Sequence, residues 1–262
     1  MYGLTILSAM LIGFLYKDSE FIGPPSADNI IKCPSSFQFL CAQNQQDTYM
    51  VQGLLINLAM GLSAAASSLN TFGGTEKLVF KRELNTGQNN FAYAFAKLIS
   101  TIPNELFVPL VFMGIFQWFS SPNVACWKIY LVALGICDFS MTFAHLLSLT
   151  LEDNRALIVT VVGICVCNIL SGFNPTLHQL NKLGFFGKGL ATVSYSRWTL
   201  ESFYLSIVNM YDGIYNTTIG LNTWNYELEE LFLAFTMPFI IGIILKILIM
   251  AAIFYKTRLN KK

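Results

Sequence analysis

Residues 231–255 read LFLAFTMPFIIGIILKILIMAAIFY, a run in which Lys246 is the one charged side chain. Apolar runs of about 18 or more residues with few charges are long enough to cross the hydrocarbon core of a bilayer. Comparable runs recur along the chain. Met50 to Thr75 carries no charge, the stretch between Lys97 and Lys128 carries only Glu105, and the stretch between Arg155 and Lys182 carries none. Charged residues make up 12% of the 262 and hydrophobic residues 54%. Soluble domains hold about 25% charged residues. The net charge of +1 offers no basic face for nucleic acid and no acidic tail. A soluble enzyme, a nucleic-acid binder and a disordered chain are thereby excluded. The composition predicts an all-α transmembrane protein, a single polytopic domain over 1–262 in contact with lipid on its outside.

Six spans are predicted, at about 2–16, 50–72, 91–119, 128–150, 156–173 and 231–255. The first is uncharged but falls short of the roughly 20 residues a bilayer needs. It has no basic start and no small-residue cleavage site before Lys17, so it does not read as a signal peptide. The expectation is that the chain begins inside a span, with more protein before Met1. Pro103 and Pro109 interrupt the third span, where either kinks a helix. Asn174-Pro175 stops the fifth.

Lys and Arg placement sets the orientation. With both termini cytoplasmic, the inner stretches 76–97, 151–155 and 256–262 hold nine Lys/Arg, and the outer stretches 17–49, 120–128 and 175–229 hold six over a far greater length. The sequon Asn216-Thr-Thr218 then falls on the outer side, where glycosylation occurs. The outer stretch 175–229 is too apolar for an ordinary loop. Trp198, Leu200, Phe203, Leu205 and Ile207 alternate with Arg197, Glu201 and Ser202. That pattern predicts re-entrant or interfacial helices at the outer membrane face. Arg197 and Glu201 stand four apart and can pair on one helix face. The membrane itself is the plasma membrane or an endomembrane.

No catalytic constellation stands out. His145 and His178 fall on different predicted sides, and no His/Cys/carboxylate cluster has metal-ligand spacing. Gly184-Phe-Phe-Gly187-Lys188 lacks the spacing and the following Ser/Thr of a phosphate loop. These residues therefore hold no cofactor and no metal, and they do not hydrolyse ATP. Cys126, Cys137, Cys165 and Cys167 lie in or beside spans and read as small core residues. Cys33 and Cys41 share the outer 17–49 stretch, as a local disulfide or as two free thiols.

Polar groups inside spans are costly and are functional candidates by default. They are Asn57, Asn70, Glu105, Asp138, His145, Asn168 and Lys246. The asparagines suit interhelical hydrogen bonds. Asp138 and Lys246 neutralise one another if they meet, but three scattered charges do not form a proton relay. In the second span, Gly61 and the run Ser63-Ala-Ala-Ala-Ser-Ser68 let another helix approach closely, either for packing or to line a pathway.

The most specific stretch is Glu76-Lys-Leu-Val-Phe-Lys81-Arg82-Glu83-Leu-Asn-Thr-Gly87, followed by the aromatic-rich start Phe91-Ala-Tyr93 of the third span, then Lys97 and Pro103. It resembles the membrane half of ABC transporters of the G (white-type) subfamily. Tyr195-Ser-Arg197-Trp198-Thr-Leu200-Glu201-Ser-Phe203 is similar to the segment before that family's last external loop, closest to a plant and protist branch. The resemblance covers about residues 50–262. It implies six transmembrane helices, a cytoplasmic coupling helix and re-entrant helices in the last outer loop. It implies one half of a dimeric, ATP-driven exporter for lipid-like or amphipathic substrates. ATP and Mg would sit on an ATP-binding domain, upstream in the intact gene or on a separate chain. The second transporter half would be an identical or a different subunit. Glu76, Lys77, Lys81, Arg82 and Glu83 would couple to the ATPase domain. Ser63, Ala64, Ser67, Cys165 and Asn168 would face the pathway, and Phe173 would gate it. The alternative is a truncated, non-transporting membrane protein that assembles with or regulates full-length transporters.

Overall fold

The computed structural model describes residues 2–17, 34–37, 48–74, 76, 79, 82, 89–120, 124–211 and 217–259. Among these residues all regular structure is helical. The helices are α1 (Tyr2–Leu15), α2 (Thr48–Ser68), α3 (Asn90–Ser120), α4 (Cys126–Thr150), α5 (Asp153–Ile169), α6 (Leu177–Lys182), α7 (Gly184–Val193), α8 (Tyr195–Tyr211), α9 (Thr218–Trp224) and α10 (Leu231–Leu259). Four stretches are long and apolar enough to cross a membrane: Tyr49–Thr71, Phe91–Ser120, Cys126–Thr150 and Leu228–Tyr255. α1 and α5, with 14 and 17 residues, occupy the places of the first and fifth predicted spans. α3 runs unbroken through Pro103 and Pro109. α5 stops at Ile169, short of the predicted end at 173, with Leu170 as its C-cap.

α4 is the centre of the bundle, with α2 and α10 packed along it. Its buried face runs from Ile129 through Ile136, Cys137 and Met141 to Leu149. α1 lies along α3, where a side chain at Gly13 would meet Phe119. Gln52 of α2 donates to Ser120 of α3 (3.1 Å), and Ser120 donates to the Tyr16 carbonyl (3.3 Å). One polar chain thus ties the end of α1 to α2 and α3.

The 175–229 stretch is a set of helices. Thr176 and Gln179 form a capping box at the start of α6, each side chain accepting from the other's backbone N–H. Gly184 turns the chain at φ +70° into α7. Gly187 then lies against the Leu180 carbonyl, where no Cβ fits, so α6 and α7 pack as a tight pair. Phe185 and Phe186 of α7 are 93% and 76% exposed, so α7 turns an apolar face outward. α8 is different. Leu200, Phe203, Tyr204, Leu205 and Ile207 are all buried, and so are Ser196, Thr199, Glu201 and Ser202. It is inserted among α2, α4 and α10 and does not lie on a membrane face.

α2 approaches both α8 and α4 closely at Gly61. A Cβ there would lie 2.8 Å from the Tyr195 hydroxyl and 3.2 Å from Ser140 Oγ. Overpacking a filled site costs about 1–3 kcal/mol. Gly61→Leu is expected to lower the thermal unfolding midpoint in detergent by several degrees. Gly3→Leu, at a position whose Cβ meets nothing within 4 Å, is expected to leave it unchanged.

Candidate functional site

The three intramembrane charges meet. Lys246 of α10 donates to Asp138 of α4 and to Glu105 of α3, at 3.3 Å for the second. Thr101, one turn before Glu105, donates to its other oxygen at 3.2 Å. Glu105 and Asp138 are buried, with 6% and 7% of their surface exposed. The three charges that the sequence leaves scattered are therefore one cluster. Asp138 reaches α10 because Gly242, one turn before Lys246, has no side chain; a Cβ there would overlap the carboxylate. A lone charge at the centre of a spanning helix costs roughly 2.5–3.5 kcal/mol. Contact among opposite charges offsets that cost and ties α3, α4 and α10 at one level.

A second polar layer surrounds α8. Thr199 donates to Asn57 of α2 (2.6 Å), Ser196 donates to Asn168 of α5 (3.1 Å), and Ser194 donates to the Cys167 carbonyl (2.8 Å). Asn57 and Asn168 are thus the interhelical hydrogen-bonders that their composition suggests. The Tyr195 ring stacks on Phe139 at 4.2 Å. His145 is fully buried with its ring edge-on to Phe72, and neither ring nitrogen has a partner among the described residues.

A groove of about 460 Å³ runs between α2 and α5, closed at one side by Leu4 of α1. Ser63, Ala66 and Ser67 form its α2 wall, with Asn70 in the turn just after that helix, and Leu157, Thr160 and Val161 its α5 wall. The hydroxyls of Ser63, Ser67 and Thr160 each donate to a carbonyl of the preceding turn in their own helix, at Met60, Ala64 and Ala156. The wall therefore presents methylenes and methyls more than free donors. Of the residues expected on the pathway, Ser63 and Ser67 line this groove. Ala64 and Asn168 turn into the bundle, and Cys165 is half-buried. Phe173 stacks on Trp224 of α9 at 5.4 Å. A second hollow, lined by Ser148, Asp153 and Asn154, shares Ala66, Leu69, Asn70 and Leu157 with the groove and continues it past the α4–α5 turn.

Of the expected coupling residues, Glu76 accepts from Lys97 of α3 at 2.7 Å, which fixes the chain just after α2 against the start of α3. Arg82 is exposed. Lys77, Lys81 and Glu83 lie outside the described residues, as do Asn216, Cys33 and Cys41. No group of three or more metal-ligating side chains occurs among the described residues. The sequence offers Asp138 and Lys246 as a pair without showing that they meet, and gives no place to Glu105 beside them. Its available signal was the rarity of charge in the spans and the opposite signs.

A helical membrane domain with an apolar groove between its second and fifth helices is the class this geometry defines. The chain belongs to the ABC-2 type transporter family, whose model matches residues 40–261. It is similar to ABC transporter G family member 28 of Arabidopsis thaliana, 26% identical over 62% of this chain and 14% of that protein. It is similar to ABC transporter G family member 25 of Oryza sativa subsp. japonica, 25% identical over 72% of this chain and 18% of that protein. ABC-type transporter claG of Penicillium crustosum is 30% identical over 55% of this chain and 19% of that protein. The chain spans less than a fifth of the length of each of these curated relatives. What it matches is their membrane domain, and its 262 residues hold no ATP-binding domain.

Removing one member of a buried ion cluster strands the others and typically costs about 3–5 kcal/mol. Lys246→Met is expected to lower the unfolding midpoint sharply, and Gly242→Ala to do the same by displacing Asp138. In a double-mutant cycle, Lys246→Met with Asp138→Asn is expected to be less damaging than the sum, with a coupling of about 1 kcal/mol or more. Additive losses would mean the pair does not interact.

Glu201 on α8 gives a pH prediction. Burial raises its carboxyl from the ordinary 4.5 to about 7; Arg197, at 3.8 Å, opposes the rise and Glu230 adds to it. Neither Glu201 oxygen has a hydrogen-bond partner among the described residues, and the Arg197 guanidinium lies over the Trp198 ring at 4.2 Å. The folded chain thus holds a proton that the unfolded chain has released between pH 4.5 and about 7. Stability from this group is full below the lower value and is lost as pH rises through the upper one. Thermal melts from pH 5 to 8 are expected to show that decline, and Glu201→Gln is expected to flatten it.

Proposed function

We propose that this chain is the permease half of an ATP-driven exporter for lipid-like or other amphipathic substrates, working as a dimer. The observation that carries the reading is the groove between α2 and α5, whose serine and threonine hydroxyls are spent on their own helices. Such a wall suits an acyl or other apolar body better than a polar solute. The α5 surface beside the groove is apolar and uncovered: Leu157, Ile158, Val162, Val166 and Ile169 are each 46% exposed or more. In the proposed assembly the α2 and α5 faces of two halves enclose a shared pathway, with Phe173 and its partner Trp224 at the outer end. Both termini are cytoplasmic in this reading, and the membrane is the plasma membrane or an endomembrane.

ATP and Mg belong to an ATP-binding domain that joins from the same or another polypeptide. The segment carrying Glu76, Lys77, Lys81, Arg82 and Glu83 receives its motion. The Glu76–Lys97 ion pair supports this, because it would pass a push on that segment directly to α3. Positive charges beside Leu78, Val79 and Phe80 suit a partner domain below the membrane.

The reading is tested by ATP-dependent uptake of a fluorescent phospholipid into inside-out vesicles that carry the chain with its ATPase partner. Ser67→Trp fills the groove and is expected to reduce uptake at least tenfold, with ATP hydrolysis and melting temperature retained. Lys81→Glu is expected to uncouple hydrolysis from uptake. Uptake that needs no ATP, or that Ser67→Trp leaves intact, would refute the proposal. A chain that joins full-length transporters yet supports no flux in any ATPase context would establish the regulatory alternative.

A further inference from the structure

α3 and α4 line a further hollow, of about 670 Å³, that shares no residue with the α2–α5 groove. Its floor is Gly114, where a Cβ would meet nothing within 4 Å. Met113 and Tyr130 line its sides, and Trp118 and Trp127 stand at its mouth, 84% and 60% exposed. The hollow lies next to the short connection between two spanning helices, so its mouth is at a membrane surface. Exposed tryptophans at such a position sit at headgroup depth.

A cation stands at the same mouth. Lys128 is in the first turn of α4, with its ammonium 5.9 Å from the Trp127 ring centre. None of the ion pairs among the described residues involves it. That first turn holds no acidic side chain, and Ala125 supplies no side-chain cap. The amino end of a helix carries partial positive charge, so a lysine there is unfavourable unless an anion is present. An unbalanced positive site above an open apolar trough is complementary to one molecule with an anionic head and an apolar tail.

We propose that this hollow retains a glycerophospholipid from the bilayer. Its phosphate rests on Lys128 and the first turn of α4, and one acyl chain lies over Gly114 between Trp118 and Trp127. The lipid wedges the α3–α4 corner, and so braces the two helices that supply Glu105 and Asp138 to Lys246.

The full chain is placed in phosphatidylcholine vesicles containing a phosphatidylglycerol probe with a photoactivatable acyl chain, and adducts are mapped by mass spectrometry. Adducts are expected to concentrate on residues 113–118 and 126–130, above the level on the exposed α10 residues Ile243 and Ile247. Lys128→Glu is expected to cut labelling of the hollow about fivefold or more, the effect of roughly one lysine at a membrane surface, with α10 labelling unchanged. Gly114→Phe, which fills the trough and keeps the charge, is expected to do the same. Equal labelling of the two faces would show bulk lipid only and overturn the proposal. Labelling indifferent to both variants would overturn it too, as would disulfide capture of a second copy through Cys126, which would place a protein in the hollow.

Discussion

Lys246 is the charge that the bundle is built around. An ammonium on an apolar 29-residue helix must find counter-charge or leave the hydrocarbon. It finds two carboxylates, on α3 and α4. That choice fixes the rotation of α10. With Lys246 turned inward, Ile249 and Ile253 are buried and Ile243 and Ile247 face lipid. It also fixes the depth of α10 against α4, because Asp138 lies against the one-turn gap that Gly242 leaves. Apolar packing in lipid gives little orientational preference, since lipid tails are as apolar as leucine. Polar contacts therefore settle the register of the helices.

The layer around α8 works by the same rule with neutral groups. Asn57 and Asn168 each receive a hydroxyl from α8, and the Cys167 carbonyl receives that of Ser194 just before α8. Small residues on α2 make these contacts reachable: Gly53 faces Leu200 and Phe203, and Gly61 faces Tyr195. The small-residue run in α2 accordingly serves two ends. Its glycines admit α8 on one side, and Ser63, Ala66 and Ser67 leave room for the groove on the other.

Most of the membrane architecture is legible in the sequence, because charge-free runs mark spans and a helix's length is fixed by bilayer thickness. The fifth span is the least well bounded. Asn174-Pro175 is a plain stop signal, but α5 already ends at Ile169, before the positive-φ turn at Gly172. The interleaving of apolar and polar residues in α8 predicts a re-entrant or interfacial helix. The structure buries both faces, because its hydroxyls and Glu201 have other helices around them. Amphipathicity reports a polar face and not what covers it. The site follows the same pattern. Successive residues of a helix point about 100° apart, so Ser63 and Ser67 reach the groove while Ala64 turns inward. The cluster of Glu105, Asp138 and Lys246 has no local signature, since its members are 33 to 141 residues apart in sequence.

In the proposed assembly α2 and α5 are the walls of a pathway whose width is set by nucleotide on an associated domain. The most direct measurement is the distance between spin labels at Ser67 in the two halves of the assembled protein, with and without ATP and Mg. The prediction is two distinct distance distributions, the ATP-bound one reverting when Mg is chelated. A single distribution, the same in both conditions, or the absence of any intersubunit distance, would contradict it.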